Sequence, residues 1–209
     1  MSIAQQFLQL AIEKNVLKLG EFTLKSGRVS PYFFNAGLFN DGYSLQLLGD
    51  YFAQTIEHSG LEFDGLFGPA YKGIPLATSI AIAYQQRYGR NIPVTFNRKE
   101  VKDHGEGGEL MGAALTGRIL IVDDVVSAGT SVRQSIELIK QSGAEPVAVA
   151  VALDRQEKGQ NEFSAMQELT AQFGLKTTAI AGLDDLMAML PDGSGDARRV
   201  ADYRKRYGC

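Results

Sequence analysis

Apolar side chains recur along this chain at two spacings, one typical of helices and one typical of strands. Residues 3–19 carry apolar positions at helical spacing, which predicts an amphipathic helix, whereas 29–35 predict an extended aromatic segment. From about residue 61 onward, short apolar runs alternate with helical patterns. The predicted strands are 63–67, 92–96, 119–123, 146–153 and 176–180. The predicted helices are one that follows Asp41 as its cap, 74–88, 130–141, 162–173 and a tail helix from residue 196.

Several predicted strands are apolar on both faces, which indicates a parallel sheet covered by helices on each side. The predicted fold class is therefore α/β, with a central, mostly parallel sheet flanked by helices. Open sheets of this kind bind ligands beyond the carboxyl ends of their strands. The segments that follow predicted strand ends are 68–73, 97–102, 123–131 and 154–155, and we expect them to face one crevice.

The segment 119–131 carries the strongest chemical signal. Four apolar residues lead to Asp123 and Asp124, a loop of small residues follows, and a helical pattern begins at Thr130. Such a unit can hold a sugar through its hydroxyls and a phosphate through the backbone N–H groups at the helix start. It has neither the Gly-Lys-Ser/Thr of a Walker loop nor a spaced glycine triplet. A plain strand end followed by a helix cap is the alternative.

Two further segments carry cations after predicted strands. Residues 68–73 form a Gly/Pro-framed turn with Lys72, which is either an anion-binding loop or a simple turn with a solvated lysine. Residues 98–109 are charged and glycine-rich, without hydrophobic periodicity. They predict either an ordinary surface loop or a lid that excludes water and neutralises an anionic leaving group. The cationic positions of this lid are Arg98, Lys99, Lys102 and His104.

Residues 25–35 and Arg155 are candidates for contact with a flat anionic ligand. Phe33 and Phe34 are adjacent in an extended segment, so one ring can be buried while the other stacks on a ligand. Lys25 can meet an anionic group, and Arg155, which follows a long apolar strand, can fork onto a carboxylate. The alternatives are two core phenylalanines and a solvated arginine.

Composition narrows the class of protein. With 209 residues and 44% hydrophobic content, the chain fits one folded domain. A net charge of -3 argues against general nucleic-acid binding, although a local basic cluster remains compatible with it. The single cysteine, Cys209, fits a reducing compartment, and neither a secretory signal pattern nor a membrane-spanning apolar run is present. We expect a soluble cytoplasmic protein.

Residues 122–131 resemble the phosphoribosyl-pyrophosphate (PRPP) motif of type I phosphoribosyltransferases. Three other segments narrow the resemblance to the orotate phosphoribosyltransferase family. Residues 24–35 are similar to its orotate-binding region, 68–75 to its pyrophosphate loop and 97–108 to its catalytic lid. The resemblance extends from about residue 5 to the C-terminal helix. It implies one domain over 1–209 with the type I fold and a small N-terminal hood of about residues 1–40.

The resemblance implies a role for each of these segments. Asp123 and Asp124 would hold the ribose hydroxyls, and the loop after them would cradle the 5-phosphate. The residues implied to bind PRPP are Tyr71, Lys72, Arg98, Lys99, Lys102, His104, Asp123, Asp124, Val125, Val126, Ser127, Ala128, Gly129, Thr130 and Ser131. Those implied to bind orotate are Lys25, Phe33, Phe34, Ser127 and Arg155, and the implied catalytic set is Lys102, His104, Asp123 and Asp124. The Ala70–Tyr71 peptide is expected to be cis, and Ser127 replaces the Thr of many members but keeps its hydroxyl.

The implied reaction transfers the 5-phosphoribosyl group of PRPP to orotate, which gives orotidine 5′-monophosphate and pyrophosphate in pyrimidine biosynthesis. Mg²⁺ is the implied cofactor, held mainly by PRPP oxygens and water rather than by a protein cage. The resemblance also implies a homodimer that shares lid residues between subunits, without nucleic-acid or membrane partners. The alternative is a PRPP-sensing, nucleic-acid-binding regulator on the same fold, against which the acidic balance and the lack of an added DNA-binding segment argue.

Overall fold

The computed structural model describes residues 1–24, 27–102, 108–126, 129–159 and 162–209, and of 100–102 and 108 it describes the backbone alone. Helices and strands alternate along most of this chain, as the sequence predicts. The helices are α1 (Ile3–Glu13), α2 (Gly42–His58), α3 (Gly73–Tyr88), α4 (Thr130–Gln141), α5 (Ala165–Phe173), α6 (Leu183–Met189) and α7 (Gly195–Tyr207). The strands are β1 (Leu17–Thr23), β2 (Val29–Phe34), β3 (Gly65–Gly68), β4 (Val94–Lys102), β5 (Gly108–Gly112), β6 (Arg118–Asp123), β7 (Glu145–Asp154) and β8 (Lys176–Gly182). Among these described helices none is both long and apolar enough to cross a membrane.

The six-stranded sheet has the order β5-β4-β3-β6-β7-β8. All neighbouring pairs are parallel except β4 and β5, which are antiparallel. Alternate residues of β6 enter two separate hydrophobic cores: Leu120 lies in the core shared with α2 and α3, and Ile121 in the core shared with α4 and α5. Because both faces of β6 are buried, its sequence is a continuous apolar run. The predicted α/β class is confirmed.

The N-terminal region differs from its prediction. A single helix was expected over 3–19, but α1 ends at Glu13, and Asn15 adopts a left-handed conformation with φ of 58°. Asparagine is one of the few residues that adopt this conformation readily. The chain then forms β1, which pairs with β2 as a separate antiparallel hairpin. The leucines from residue 17 onward therefore belong to a strand rather than to a fourth helical turn.

The lid segment also differs from its prediction at both ends. Residues 98–109 were expected to lack regular structure, but the backbone of β4 runs to Lys102 and β5 returns from Gly108, with residues 103–107 outside the described part. Hydrogen-bonded pairing places Asn97 opposite Leu110 and Lys102 opposite Gly108. Apolar periodicity does not predict this hairpin, because its strands are charged. Beyond Phe96, β4 pairs only with the edge strand β5, where charged side chains are tolerated.

Candidate active site

The carboxyl ends of β3, β4 and β6 meet at one edge of the sheet, as predicted. The backbone N–H of Ala70, after β3, donates to Asn97 Oδ1 in β4 at 2.8 Å. Lys72 Nζ, in the same loop, lies 2.6 Å from Asp124 Oδ2 after β6. The Asp124 carbonyl in turn accepts from the backbone N–H of Leu153 in β7 at 3.1 Å. Four strand ends are thereby tied together around one crevice.

Asp123 and Asp124 are buried side by side, with 9% and 8% of their surfaces exposed. The backbone N–H of Asp124 donates to Asp123 Oδ1 at 2.8 Å, which fixes the rotamer of that carboxylate. Burial raises the pKa of Asp123 to about 7, and the adjacent negative charge of Asp124 adds to the shift, while the Lys72 ammonium opposes it. The pair is therefore arranged to attract positive charge or hydrogen-bond donors into the crevice.

The loop after β3 makes close backbone contacts that require glycine. A Cβ at Gly68 would overlap the carbonyl oxygen of Gly73, and a Cβ at Gly73 would lie 2.6 Å from Pro69 Cδ. The Ala70–Tyr71 peptide is cis, as the family resemblance predicts. These contacts bring Lys72 to the start of α3, beside the carboxylate pair.

The loop after the carboxylate pair leads into the N-terminus of α4. Gly129 caps this helix with φ of 71°, and no side chain hydrogen-bonds to its first turn among the described residues. Free N–H groups at a helix start attract anions. Val126 is buried and packs into the core, whereas Val125 is partly buried and Thr130 and Ser131 are exposed. Ser127 and Ala128, both predicted to contact PRPP, lie outside the described residues.

Adjacent phenylalanines in β2 point to opposite sides, as an extended segment requires. Phe34 is buried and packs on Phe7, with ring centroids 6.2 Å apart. Phe33 is 41% exposed and contacts the Phe22 ring at 5.6 Å. Of the two rings predicted to bind orotate, Phe33 is the one that presents a face to solvent, and Phe34 anchors the hairpin to α1.

Arg155 directly follows β7, and its side chain is only 12% exposed, not solvated as the alternative interpretation expected. Its Nε donates to Glu157 Oε1 at 2.8 Å, its Nη2 donates to Ser30 Oγ at 3.2 Å, and its guanidinium lies 4.4 Å from the Tyr32 ring centroid. The arginine thus joins the large sheet to the hairpin that carries Phe33. The sequence interpretation missed Glu157, although its position two residues after Arg155 is a usable signal. Asn97 begins a segment that was predicted to face the crevice, but its contact with Ala70 depends on the pairing of β3 with β4.

The cations of the lid are described in part. Lys99 Nζ lies 4.8 Å from the ring centroid of Tyr71, which is 64% exposed, so a cation–π contact links β4 to the loop after β3. Arg98 lies on the same strand and has an interaction of its own. The side chain of Lys102 and all of His104 lie outside the described part, as does Lys25.

The described residues contain no cluster of three or more His, Cys, Asp or Glu side chains that could hold a metal ion. Two adjacent carboxylates are nevertheless present in the crevice. Mg²⁺ is commonly held by one or two carboxylates together with substrate phosphates and water. The donor set therefore fits a magnesium ion that arrives with a phosphorylated ligand.

The crevice combines an acid pair, a helix N-terminus and a lysine loop at the edge of an open, mostly parallel sheet. These features are those expected of a phosphoribosyltransferase. A family model described as "Phosphoribosyl transferase domain" matches residues 38–176. The chain is 57% identical over 206 residues to the orotate phosphoribosyltransferase of Thioalkalivibrio sulfidiphilus, with 97% of each chain covered. It is 57% identical over 207 residues to that of Laribacter hongkongensis, with 98% of this chain and 97% of the relative covered.

The fold agrees with these sequence comparisons. The crystal structure of the orotate phosphoribosyltransferase of Francisella tularensis superposes with a TM-score of 0.87 at 39% identity, over 98% of this chain and 100% of that chain. Since both the family model and relatives of nearly equal length match, the chain belongs to the orotate phosphoribosyltransferase family of phosphoribosyltransferases.

Proposed function

We propose that this protein transfers the 5-phosphoribosyl group of PRPP to orotate, producing orotidine 5′-monophosphate and pyrophosphate. The observation that carries the proposal is the convergence of the Asp123–Asp124 pair, the start of α4 and Lys72 at one edge of the sheet. The near-full-length identity to proteins named orotate phosphoribosyltransferase supports the choice of base.

PRPP is bound in three parts. The free N–H groups at the start of α4 bind the 5-phosphate, and residues 125–131 surround it. Asp123 and Asp124 accept hydrogen bonds from the ribose hydroxyls. Lys72 and the exposed Tyr71 of the loop after β3 contact the pyrophosphate, together with Arg98, Lys99, Lys102 and His104 of the lid.

Orotate is bound beyond the end of β7. The exposed ring of Phe33 stacks on the flat base, and Arg155 provides a cation for its carboxylate, with Lys25 and Ser127 completing the pocket. Phe34 contributes by holding the hairpin on α1 and not through its own ring, because it is buried against Phe7.

In the reaction, a ring nitrogen of orotate forms a bond to the anomeric carbon as the bond to pyrophosphate breaks. Positive charge develops on the ribose and negative charge on the leaving oxygens. The buried carboxylates stabilise the first, and the lysine and arginine side chains stabilise the second. Closure of the lid excludes water, which would otherwise capture the electron-poor sugar.

Mg²⁺ is the proposed cofactor, with Asp123 and Asp124 as the protein groups near it. When bound with PRPP it neutralises charge on the pyrophosphate. The carboxylates hold the ribose in place, and Lys72 moves from Asp124 to the leaving group. Phosphate oxygens and water supply most of the ligands, in line with the preference of this ion.

We further propose a homodimer in the cytoplasm, with lid residues completing the crevice of the partner subunit and without nucleic-acid or membrane partners. The single cysteine supports a reducing compartment, and the net charge of -3 argues against a nucleic-acid partner. The dimer with a shared lid rests on the family resemblance. The alternative of a PRPP-sensing regulator has less support, because the chain matches the catalytic relatives over 97% of their length.

The test is a spectrophotometric assay of orotate consumption with the purified protein, PRPP and Mg²⁺. Orotate absorbance should fall and pyrophosphate should appear in equal amounts. Turnover with a purine base but not with orotate would reject the proposed substrate. A PRPP-dependent mobility shift of DNA or RNA, without turnover, would favour the regulator.

A further inference from the structure

A partly buried carboxylate that the proposed reaction does not use, Glu157, lies next to Arg155 of the proposed orotate site. Glu157 and Arg155 have side chains only 11% and 12% exposed, and they form an ion pair in which Arg155 Nη2 lies 2.7 Å from Glu157 Oε1. A buried guanidinium without a counter-charge is costly. The pair is therefore part of the packed structure of this region rather than a solvent-exposed surface ion pair.

Glu157 also binds the hairpin that carries Phe33. Tyr32 Oη donates to Glu157 Oε1 at 3.0 Å, and Arg28 Nη1 lies 3.7 Å from Glu157 Oε2. Burial raises the pKa of the Tyr32 hydroxyl well above its ordinary value, so it stays protonated and acts as a donor. The Glu157 carboxylate thus interacts with Tyr32 of β2, with Arg28 just before β2 and with Arg155 just after β7.

These contacts leave one part of Arg155 available. Nε and Nη2 face Glu157, Nη2 also donates to Ser30 Oγ, and the guanidinium lies over the Tyr32 ring. The Tyr203 side chain also interacts with Arg155, and no hydrogen bond from Nη1 to another described residue is seen. The planar group is consequently held in one orientation, in which Nη1 would be the donor for an anion.

We propose that Glu157 is a positioning residue for orotate: it orients Arg155 and clamps the Phe33 hairpin against the sheet. This inference rests on the proposed function, because it assumes that Arg155 meets the orotate carboxylate. Two cations and one carboxylate leave the cluster of Arg28, Arg155 and Glu157 with a net positive charge, which suits an anionic base. Glu157 itself touches neither substrate.

The test compares steady-state constants of the full-length protein and its variants. Glu157→Gln keeps an oxygen acceptor for Tyr32 but loses the ionic hold on Arg155. We expect its KM for orotate to rise about 10-fold, the loss of roughly one charge-assisted hydrogen bond. The KM for PRPP and kcat should change less than about 2-fold, since the PRPP loop is untouched. Glu157→Asp, which keeps the charge on a shorter side chain, should recover part of the orotate affinity.

A control separates positioning from general stability. Asp64 pairs with Arg118 at the opposite end of the sheet, at 3.0 Å, so Asp64→Asn removes a more exposed carboxylate–arginine pair far from the crevice. Its orotate KM should stay at the wild-type value. If Glu157→Gln raised both KM values equally, or matched Asp64→Asn, Glu157 would be a structural residue and the inference would be wrong.

Arg155→Lys distinguishes a failure of this inference from a failure of the proposed function. If Arg155→Lys weakens orotate binding but Glu157→Gln does not, Arg155 binds orotate without help from Glu157, and the positioning role is rejected. If neither wild-type turnover of orotate nor an effect of Arg155→Lys is seen, the proposed function itself fails.

Discussion

Lys72 Nζ lies 2.6 Å from Asp124 Oδ2, across 52 residues of sequence. The contact joins the loop predicted to hold pyrophosphate to the acid pair predicted to hold ribose. Lys72 has 54% of its side chain exposed and Asp124 has 11%. PRPP presents a diphosphate and vicinal hydroxyls, so each partner can exchange this contact for one to the ligand. In the proposed reaction, Lys72 would exchange this contact for the pyrophosphate and Asp124 for the ribose hydroxyls.

Replacing Lys72 by methionine should impair the use of PRPP. We expect kcat/KM for PRPP to fall about 100-fold, because a charge-assisted contact to the leaving group is lost. The free energy of unfolding should also fall, since the buried Asp124 carboxylate loses its counter-charge. Lys205→Met, at an 81% exposed position of α7, is the control and should leave kcat/KM unchanged. Equal effects of the two substitutions would contradict the assignment.

Asp123 should make the ligand-free protein less stable as the pH rises. Its folded pKa is raised from 3.8 to about 7, so the folded state holds the proton after the unfolded state has lost it. The contribution of Asp123 to the free energy of unfolding is thus fully present below pH of about 4. It falls between pH of about 4 and 7 and is constant above, and the total loss is at most about 4 kcal/mol. Asp123→Asn should remove this slope in urea unfolding and abolish most turnover.

The matched control for that pH experiment is Asp192→Asn, at an exposed position between α6 and α7. It should keep the wild-type slope between pH 5 and pH 8 and the wild-type turnover. If Asp123→Asn were no more stable than the wild type at pH 8, the buried carboxylate would not be the source of the slope.

Lys102→Ala should reduce turnover far more than orotate affinity. The lysine is proposed to act on charge that develops in the transition state, so we expect kcat to fall about 100-fold or more while the Kd for orotate changes less than about 3-fold. Lys176→Ala, at the start of β8 on the opposite edge of the sheet, should leave both constants unchanged. Parallel losses in kcat and orotate affinity would reject a role in the transition state.

Sharing of the lid between subunits can be tested by mixing two inactive variants. In a mixed dimer of Lys102→Ala and Asp124→Asn, one crevice has both residues intact if the lysine is supplied by the partner. Each mixed dimer should then have about half the wild-type activity, and a 1:1 mixture after random reassociation about a quarter, since about half of its dimers are mixed. Verified mixed dimers without any activity would show that the lysine acts within its own subunit.

Gly68→Ala should damage the loop after β3. The added Cβ would overlap the carbonyl oxygen of Gly73 and lie 2.9 Å from Ala77 Cβ, so the loop that carries Lys72 must move. We expect a loss of about 2 kcal/mol or more in unfolding free energy together with weaker PRPP binding. Gly42→Ala, where nothing lies within 4 Å of the new atom, should leave PRPP binding intact. Normal PRPP affinity in Gly68→Ala would show that the close approach is dispensable.

Local sequence patterns correctly predicted many of the strands and helices. The apolar run at 119–123, buried on both faces, predicts a central parallel strand, and Asp41 was correctly identified as the cap of α2, where its carboxylate accepts from the Ser44 N–H at 2.7 Å. The prediction was wrong where the same apolar spacing is compatible with both a helix and a strand. Leu17 and Leu19 suit a helix or a strand, and pairing with β2 decided between them.

Local patterns in the sequence predict the parallel strands and the crevice edge, because apolar periodicity and small-residue turns are local properties of the chain. They do not predict β1 or β5, whose formation depends on pairing with another strand. Three features are visible only in the folded protein: Lys72 pairs with Asp124, Phe33 rather than Phe34 is exposed, and Tyr32 and Arg155 both contact Glu157. Tyr32 and Glu157 are 125 residues apart. Contacts at such separation depend on strand order and on which faces the core buries, and no local spacing encodes either.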